Sequence, residues 1–143
     1  MLTFLPAVMI LLIASALLSY KPALNHYTYK EEDTMSDCLF CKIIEGSIPS
    51  DKVYEDNTVY AFKDIHPKAP THVLVIPKTH IPTLADAQDP TMLGELMLKV
   101  NHVANDVLNL EAGYRVVINV REGGGQEVFH LHAHILGGKK LPF

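Results

Sequence analysis

The run at 128–136, Val-Phe-His-Leu-His-Ala-His-Ile-Leu, constrains this chain more than any other segment, because histidine and apolar residues alternate in it without a break. Period-two alternation is the signature of a β-strand with one buried face. In a strand, His130, His132 and His134 share one side at about 7 Å intervals, while Phe129, Leu131, Ala133 and Ile135 enter the core. On a helix the same residues spread over roughly 200° and mix with apolar ones, giving neither a core face nor a site. The remaining elements follow from local signals. A short helix is expected over 39–45, ended by Gly46, and a hairpin over 53–62 around Glu55-Asp56-Asn57. A third strand is expected over 72–76. One long helix is expected over 90–110, with Asp89 as N-cap, Pro90 at the first helical position and Gly113 beyond the end. Strands at 114–120 and 128–136 flank the turn-rich segment 121–126. Hairpins and one long helix make an α+β domain with a largely antiparallel sheet.

A length of 143 residues argues for one folded domain, and 12 Lys+Arg against 16 Asp+Glu, a formal net charge of −4, argues against nucleic-acid binding by bulk charge. The first 20 residues are a separate problem, with 16 hydrophobic side chains and no charged one. A cleaved signal, a membrane anchor and a chain whose natural start is Met35 all fit them, and 21–34 then reads as a polar linker. The expected organisation is a leader plus linker over 1–34 and a folded domain over 35–143.

Three imidazoles on one face suit two chemistries. As a metal site they lack partners, since no Glu follows His134 and no Asp stands at 133 or 135. As a nucleophilic site they are complete, because a neutral imidazole can attack phosphorus and form a phosphoramidate that water then hydrolyses. The flanking histidines and the Gln126 amide supply donors to the phosphoryl oxygens and a proton to the leaving group, and glycines 123–125 allow backbone N–H groups to approach.

The run His130-Leu131-His132-Ala133-His134-Ile135-Leu136 resembles the His-φ-His-φ-His-φ-φ signature of the histidine triad (HIT) family, and Gly137-Gly138 after it is similar to the Hint branch. The resemblance extends to Phe62-Lys63-Asp64-Ile65, Pro70-Thr71-His72, Ile76-Pro77-Lys78-Thr79-His80, Asn119 and Gly124-Gly125-Gln126-Glu127-Val128. It implies a HIT-like fold with an antiparallel sheet, one long helix and a short N-terminal helix. It also implies a homodimer whose sheet continues across the interface, and hydrolysis of purine nucleoside 5′-phosphoramidates or related adenylyl substrates. By this resemblance His132 becomes nucleotidylated, while His134, His130 and Gln126 complete the catalytic group. Asn119 helps position the phosphate, Asp64 binds the ribose hydroxyls, and Phe40, Ile43, Phe62 and Ile65 wall the base pocket. Glu127 stands where many members carry Ser.

Cys38 and Cys41 are too close in sequence for a disulfide framework and read as a metal or redox pair. With His80 and His130 they resemble the zinc ligands of Cys-containing HIT proteins, which implies a structural zinc and no cofactor for the chemistry. His26, His66, His72 and His102 read as surface or core filler. The expected location is cytoplasmic, with membrane attachment only if residues 1–20 act as an anchor. A different class also fits, a purine-nucleotide-binding scaffold or regulatory dimer with little turnover, and loss of function on removing His132 separates the two.

Overall fold

The computed structural model describes residues 37–143, so the leader and the linker expected over 1–34 lie outside the described residues. Helix α1 (Leu39–Ile44) leads into strands β1 (Lys52–Glu55), β2 (Val59–Lys63) and β3 (Thr71–Pro77). Helix α2 (Pro90–His102) then precedes β4 (Arg115–Val117) and β5 (Ala133–Gly137). The five strands form one sheet in the order β1-β2-β3-β5-β4, with every neighbouring pair antiparallel. This is the α+β architecture expected from the sequence.

Local chemistry explains the elements. Asp56 closes the β1–β2 hairpin, its carboxylate accepting from the backbone N–H groups of Thr58 and Val59 at 2.8 and 2.9 Å. Helix α2 opens with the Asp89 carboxylate accepting from Thr91 N at 2.9 Å and Pro90 in the first turn. Cys38 caps α1 through its sulfur, which accepts from Cys41 N at 3.4 Å.

Alternation along the strands divides the core in two. Val59, Ala61, Val73, Val75, Ala133 and Ile135 face α2 and pack with its Leu96 and Val100 and with Val103 and Ala104 beyond it. Tyr60, Phe62, Leu74 and Ile76 face the other way and pack with Phe40, Cys41 and Ile43 of α1. Strand β3 is therefore apolar on both sides, and a buried side chain of the Leu or Val kind contributes about 1.5–3 kcal/mol there.

Three expectations need correction. The histidine segment is regular strand only from Ala133, so the three histidines do not form one evenly spaced row. Its pairing with β3 ends at Ala133↔Val75. Two residues further along β3 stands Pro77, which has no N–H to offer, and its carbonyl accepts from His130 Nε2 at 2.8 Å. Leu131 N donates instead to Ile81 O at 2.6 Å, and His130 N turns back onto Val128 O at 2.9 Å. Strand β4 stops at Val117 rather than 120, because its last partner is His134 and the backbone before Ala133 has left the ladder. The long helix is α-helical only through His102, and Val103–Val107 form a wider π turn in which Leu108 N donates to Val103 O at 2.9 Å. Asn109 then takes a left-handed conformation at φ 54° and turns the chain so that Leu110 returns to the core.

Candidate active site

The site lies on the α1 face of the sheet. The register puts His134 opposite Leu74 and His72 opposite Leu136, so the two histidines are diagonal neighbours on that face. Their rings meet, with His72 Nε2 2.9 Å from His134 Nδ1. Asp64, just past β2, brings Oδ2 to 3.3 Å from the same His72 nitrogen, and its Oδ1 accepts from His66 N at 2.7 Å. The His132 ring sits beside that of His134, centroids 4.9 Å apart, and Phe40 meets it edge-on at 5.3 Å.

Hydrogen bonds to the backbone assign the protons. His72 Nδ1 accepts from Lys68 N at 3.0 Å, so a neutral His72 carries its proton on Nε2. That N–H points at His134 Nδ1, which must then accept, leaving the His134 proton on Nε2. His134 Nε2 is buried and has no partner among the described residues. His132 has the opposite arrangement: its Nδ1 lies 2.7 Å from the His130 carbonyl and donates to it, which leaves a lone pair on Nε2. Adjacent imidazoles thus offer one free N–H and one free lone pair. The same bonding disqualifies Asp64, His72 and His134 as a cation site, although their ligand atoms cluster within 4.8 Å, because a metal on His72 Nε2 would require a fully deprotonated ring.

Burial keeps these rings neutral. It pushes His134 down to about 4, helped by repulsion from His132 and His72, and likewise takes His130 down to about 4. His132 and His72 are also lowered by burial, against the opposing pull of the Asp64 carboxylate. A neutral His132 keeps its lone pair available near neutral pH.

Gln126 is 4% exposed and fully engaged. Its Oε1 accepts from Arg121 N at 2.8 Å, and its Nε2 donates to Pro82 O at 2.7 Å and Val128 O at 3.0 Å. The amide expected to face a phosphate thus clamps the loop. Three backbone N–H groups of the turn are also occupied: those of Gly124 and Gln126 donate to Arg121 O and that of Gly125 to Glu122 O. Two of the three glycine N–H groups are thus taken up within the turn, and Asn119 reaches across it to Gly125 O at 3.5 Å.

Of the residues expected to wall a base pocket, Phe40, Ile43 and Phe62 are buried core members, whereas Ile65 is 86% exposed beside Asp64. His72, read as filler from sequence, is the residue of this cluster that sequence reasoning missed. The available signal was its place in the apolar strand run at 72–76, two residues before Leu74 on the face that carries His134.

A second cluster lies behind the first. Cys38 Sγ and Cys41 Sγ are 3.4 and 3.6 Å from His130 Nδ1, and Cys41 Sγ is 3.4 Å from His80 Nδ1. The four ligand atoms fall within 4.8 Å of one another. With Zn–S near 2.3 Å and Zn–N near 2.05 Å, a tetrahedral zinc has S···N edges of about 3.6 Å, so the spacing fits that ion. His130 Nε2 donates to Pro77 O at 2.8 Å, which leaves Nδ1 deprotonated as a ligand must be. Without metal, burial and the neighbouring Cys38 push the Cys41 thiol up to about 12.

Known proteins are similar to this chain in sequence and in fold. The HIT domain family matches residues 45–141. Protein HitA of Neisseria gonorrhoeae is 50% identical over 105 residues, covering 72% of this chain and 97% of that protein. The purine nucleoside phosphoramidase of Escherichia coli (strain K12) is 46% identical over 107 residues, covering 73% of this chain and 90% of that protein. Among solved structures, a HIT family hydrolase from Legionella pneumophila Philadelphia 1 superposes with a TM-score of 0.71 at 47% identity, over 75% of this chain and 97% of its own. A histidine triad protein from Clostridium difficile gives 0.70 at 49% identity, over 75% and 95%. No helix among the described residues is long and apolar enough to cross a membrane. The match over most of the folded region, with all three histidines of the motif inside it, makes the chain a member of the HIT family and an enzyme of it.

Proposed function

We propose that this enzyme hydrolyses purine nucleoside 5′-phosphoramidates, and related adenylyl compounds, through a covalent nucleotidyl-His132 intermediate. The observation that carries the reading is the pair of opposed tautomers. His132 Nε2 has the lone pair needed to attack phosphorus, held in place by the bond from Nδ1 to the His130 carbonyl. His134 Nε2–H is the neighbouring donor, fixed by the chain from Lys68 N through His72, and it serves the phosphoryl oxygens and the departing nitrogen. Attack forms the P–N bond to His132 and breaks the P–N bond to the amine, which leaves with a proton. Water then displaces His132 and releases the nucleotide. The E. coli relative named a purine nucleoside phosphoramidase supports this substrate class. Asp64, whose oxygens keep acceptor capacity beyond the His66 N and His72 contacts, suits ribose hydroxyls, and Phe40, Ile43 and Phe62 form the apolar floor behind the rings. Asn119 and Gln126 position the phosphate side by holding the 119–128 loop.

Cys38, Cys41, His80 and His130 would hold a structural zinc, closed by four protein ligands. Its contribution when bound is to fix α1 and the 128–131 segment, and it offers no open position for chemistry. A homodimer joined at β4 fits the sheet, since β4 is an edge strand that pairs with β5 on one side and leaves its other side for a second copy.

The test is hydrolysis of adenosine 5′-phosphoramidate by the full chain, with acid-quenched protein analysed by mass. Wild type should turn over and His134→Asn should slow. His132→Ala should do neither chemistry nor labelling. Turnover that survives in His132→Ala would overturn the assignment of the nucleophile, and a folded, nucleotide-binding wild type without turnover would favour the scaffold reading.

A further inference from the structure

We infer that Cys38 and Cys41 form a reversible thiol/disulfide pair, oxidised by peroxides, whose closure ejects the metal and disables His132. The inference rests on the zinc reading above and assigns a modification to the same residues.

The two sulfurs occupy the N-cap and third position of α1, and each lies within 3.6 Å of His130 Nδ1. Metal-bound sulfurs are thiolates, the form that a peroxide attacks. The step balances with one peroxide per pair: two thiolates lose two electrons and join as a disulfide, the O–O bond breaks to give two water-level oxygens with protons from solvent, and the zinc ion leaves. The pair can close locally. A zinc with Zn–S near 2.3 Å holds its two sulfurs about 3.8 Å apart, whereas a disulfide bond is about 2.05 Å long. The start of α1 must therefore move as the sulfurs approach by about 1.7 Å.

Two routes carry that movement to the nucleophile. Phe40 lies between the cysteines, and its ring packs edge-on against His132 at 5.3 Å and His130 at 5.9 Å. His130 is itself a ligand, is completely buried, and its carbonyl accepts the His132 Nδ1 proton at 2.7 Å. Releasing Nδ1 of His130 from the metal leaves its ring held only through Nε2 to the Pro77 carbonyl, so the residue that presents the His132 acceptor loses one of its two side-chain anchors. A displacement of about 1 Å at a reacting group costs about a hundredfold in rate.

The experiment treats zinc-loaded full-length protein with hydrogen peroxide and reads three quantities on one sample: zinc released to a chromophoric chelator, free thiols, and phosphoramidate hydrolysis. One disulfide and one zinc should appear together, with kcat/KM falling by about a hundredfold, and dithiothreitol plus zinc should restore activity. Far-UV circular dichroism should keep its folded signature throughout. Zinc release without a disulfide, or a disulfide with undiminished turnover, overturns the inference. A purified chain that binds no zinc sinks the metal reading and the switch with it, since no metal then holds the sulfurs as thiolates, whereas zinc that is bound and stays bound under peroxide overturns the switch alone. Cys38→Ser and Cys41→Ser supply the second check, because any single variant that folds should lose the dithiothreitol-reversible component.

Discussion

Replacing Gln126 by Ala tests whether that side chain is a clamp or a phosphate donor. The structure gives its amide three hydrogen bonds, to Arg121 N, Pro82 O and Val128 O, at 2.7–3.0 Å and 4% exposure. Each such bond contributes about 1 kcal/mol net, and removal strands three backbone groups away from full solvation, so Gln126→Ala should cost about 3 kcal/mol. For a folded region of this size that lowers Tm by roughly 10–20 °C. Gln126→Glu keeps the shape but turns an acceptor toward the Pro82 and Val128 carbonyls, and should destabilise at least as much. Urea unfolding of both variants, followed by circular dichroism, measures the loss directly. Stability within about 0.5 kcal/mol of wild type, combined with a large fall in kcat, would refute the clamp and put the amide on the phosphate.

Three further outcomes follow from the geometry. His134 is held neutral in the folded state with its pKa lowered to about 4, so the unfolded chain binds the extra proton first: stability should fall as pH drops from about 6.5 toward 4 and level off below, a slope that His134→Asn should reduce in urea titrations. Burial acts to raise the Asp56 carboxyl, but the Lys99 ammonium and the N–H groups of Thr58 and Val59 outweigh it and hold the group below the usual carboxylate range; Asp56→Asn should cost about 1–2 kcal/mol at pH 7, with the difference shrinking as wild-type Asp56 protonates in acid. Gly138 sits at φ 86°, and an added Cβ would lie 3.0 Å from Pro70 Cβ and 3.3 Å from Thr71 N; Gly138→Ala should lose about 1–3 kcal/mol by thermal melting, and an unchanged Tm would show that the β3–β5 end can relax.

Much of this protein was legible in one dimension because the physics involved is local. Period-two alternation identified the β5 face, Asp89-Pro90 the start of α2, and Asp56 the hairpin turn, since each depends on residues within a few positions. The histidine motif identified the candidate nucleophile, and the Cys pair with His80 and His130 identified a cluster that the fold does assemble. What only tertiary structure decided lies across long sequence separations. The proton on His134 is set by His72, 62 residues away, and the Gln126 amide is occupied by Pro82 O, 44 residues away. The sulfur of Cys38 meets His130 across 92 residues. Even the length of β5 depended on a remote residue, because Pro77 has no N–H with which to extend the ladder. Sequence determines which groups a chain carries and which face of an element they share; which nitrogen holds the proton depends on the partner that folding brings to it.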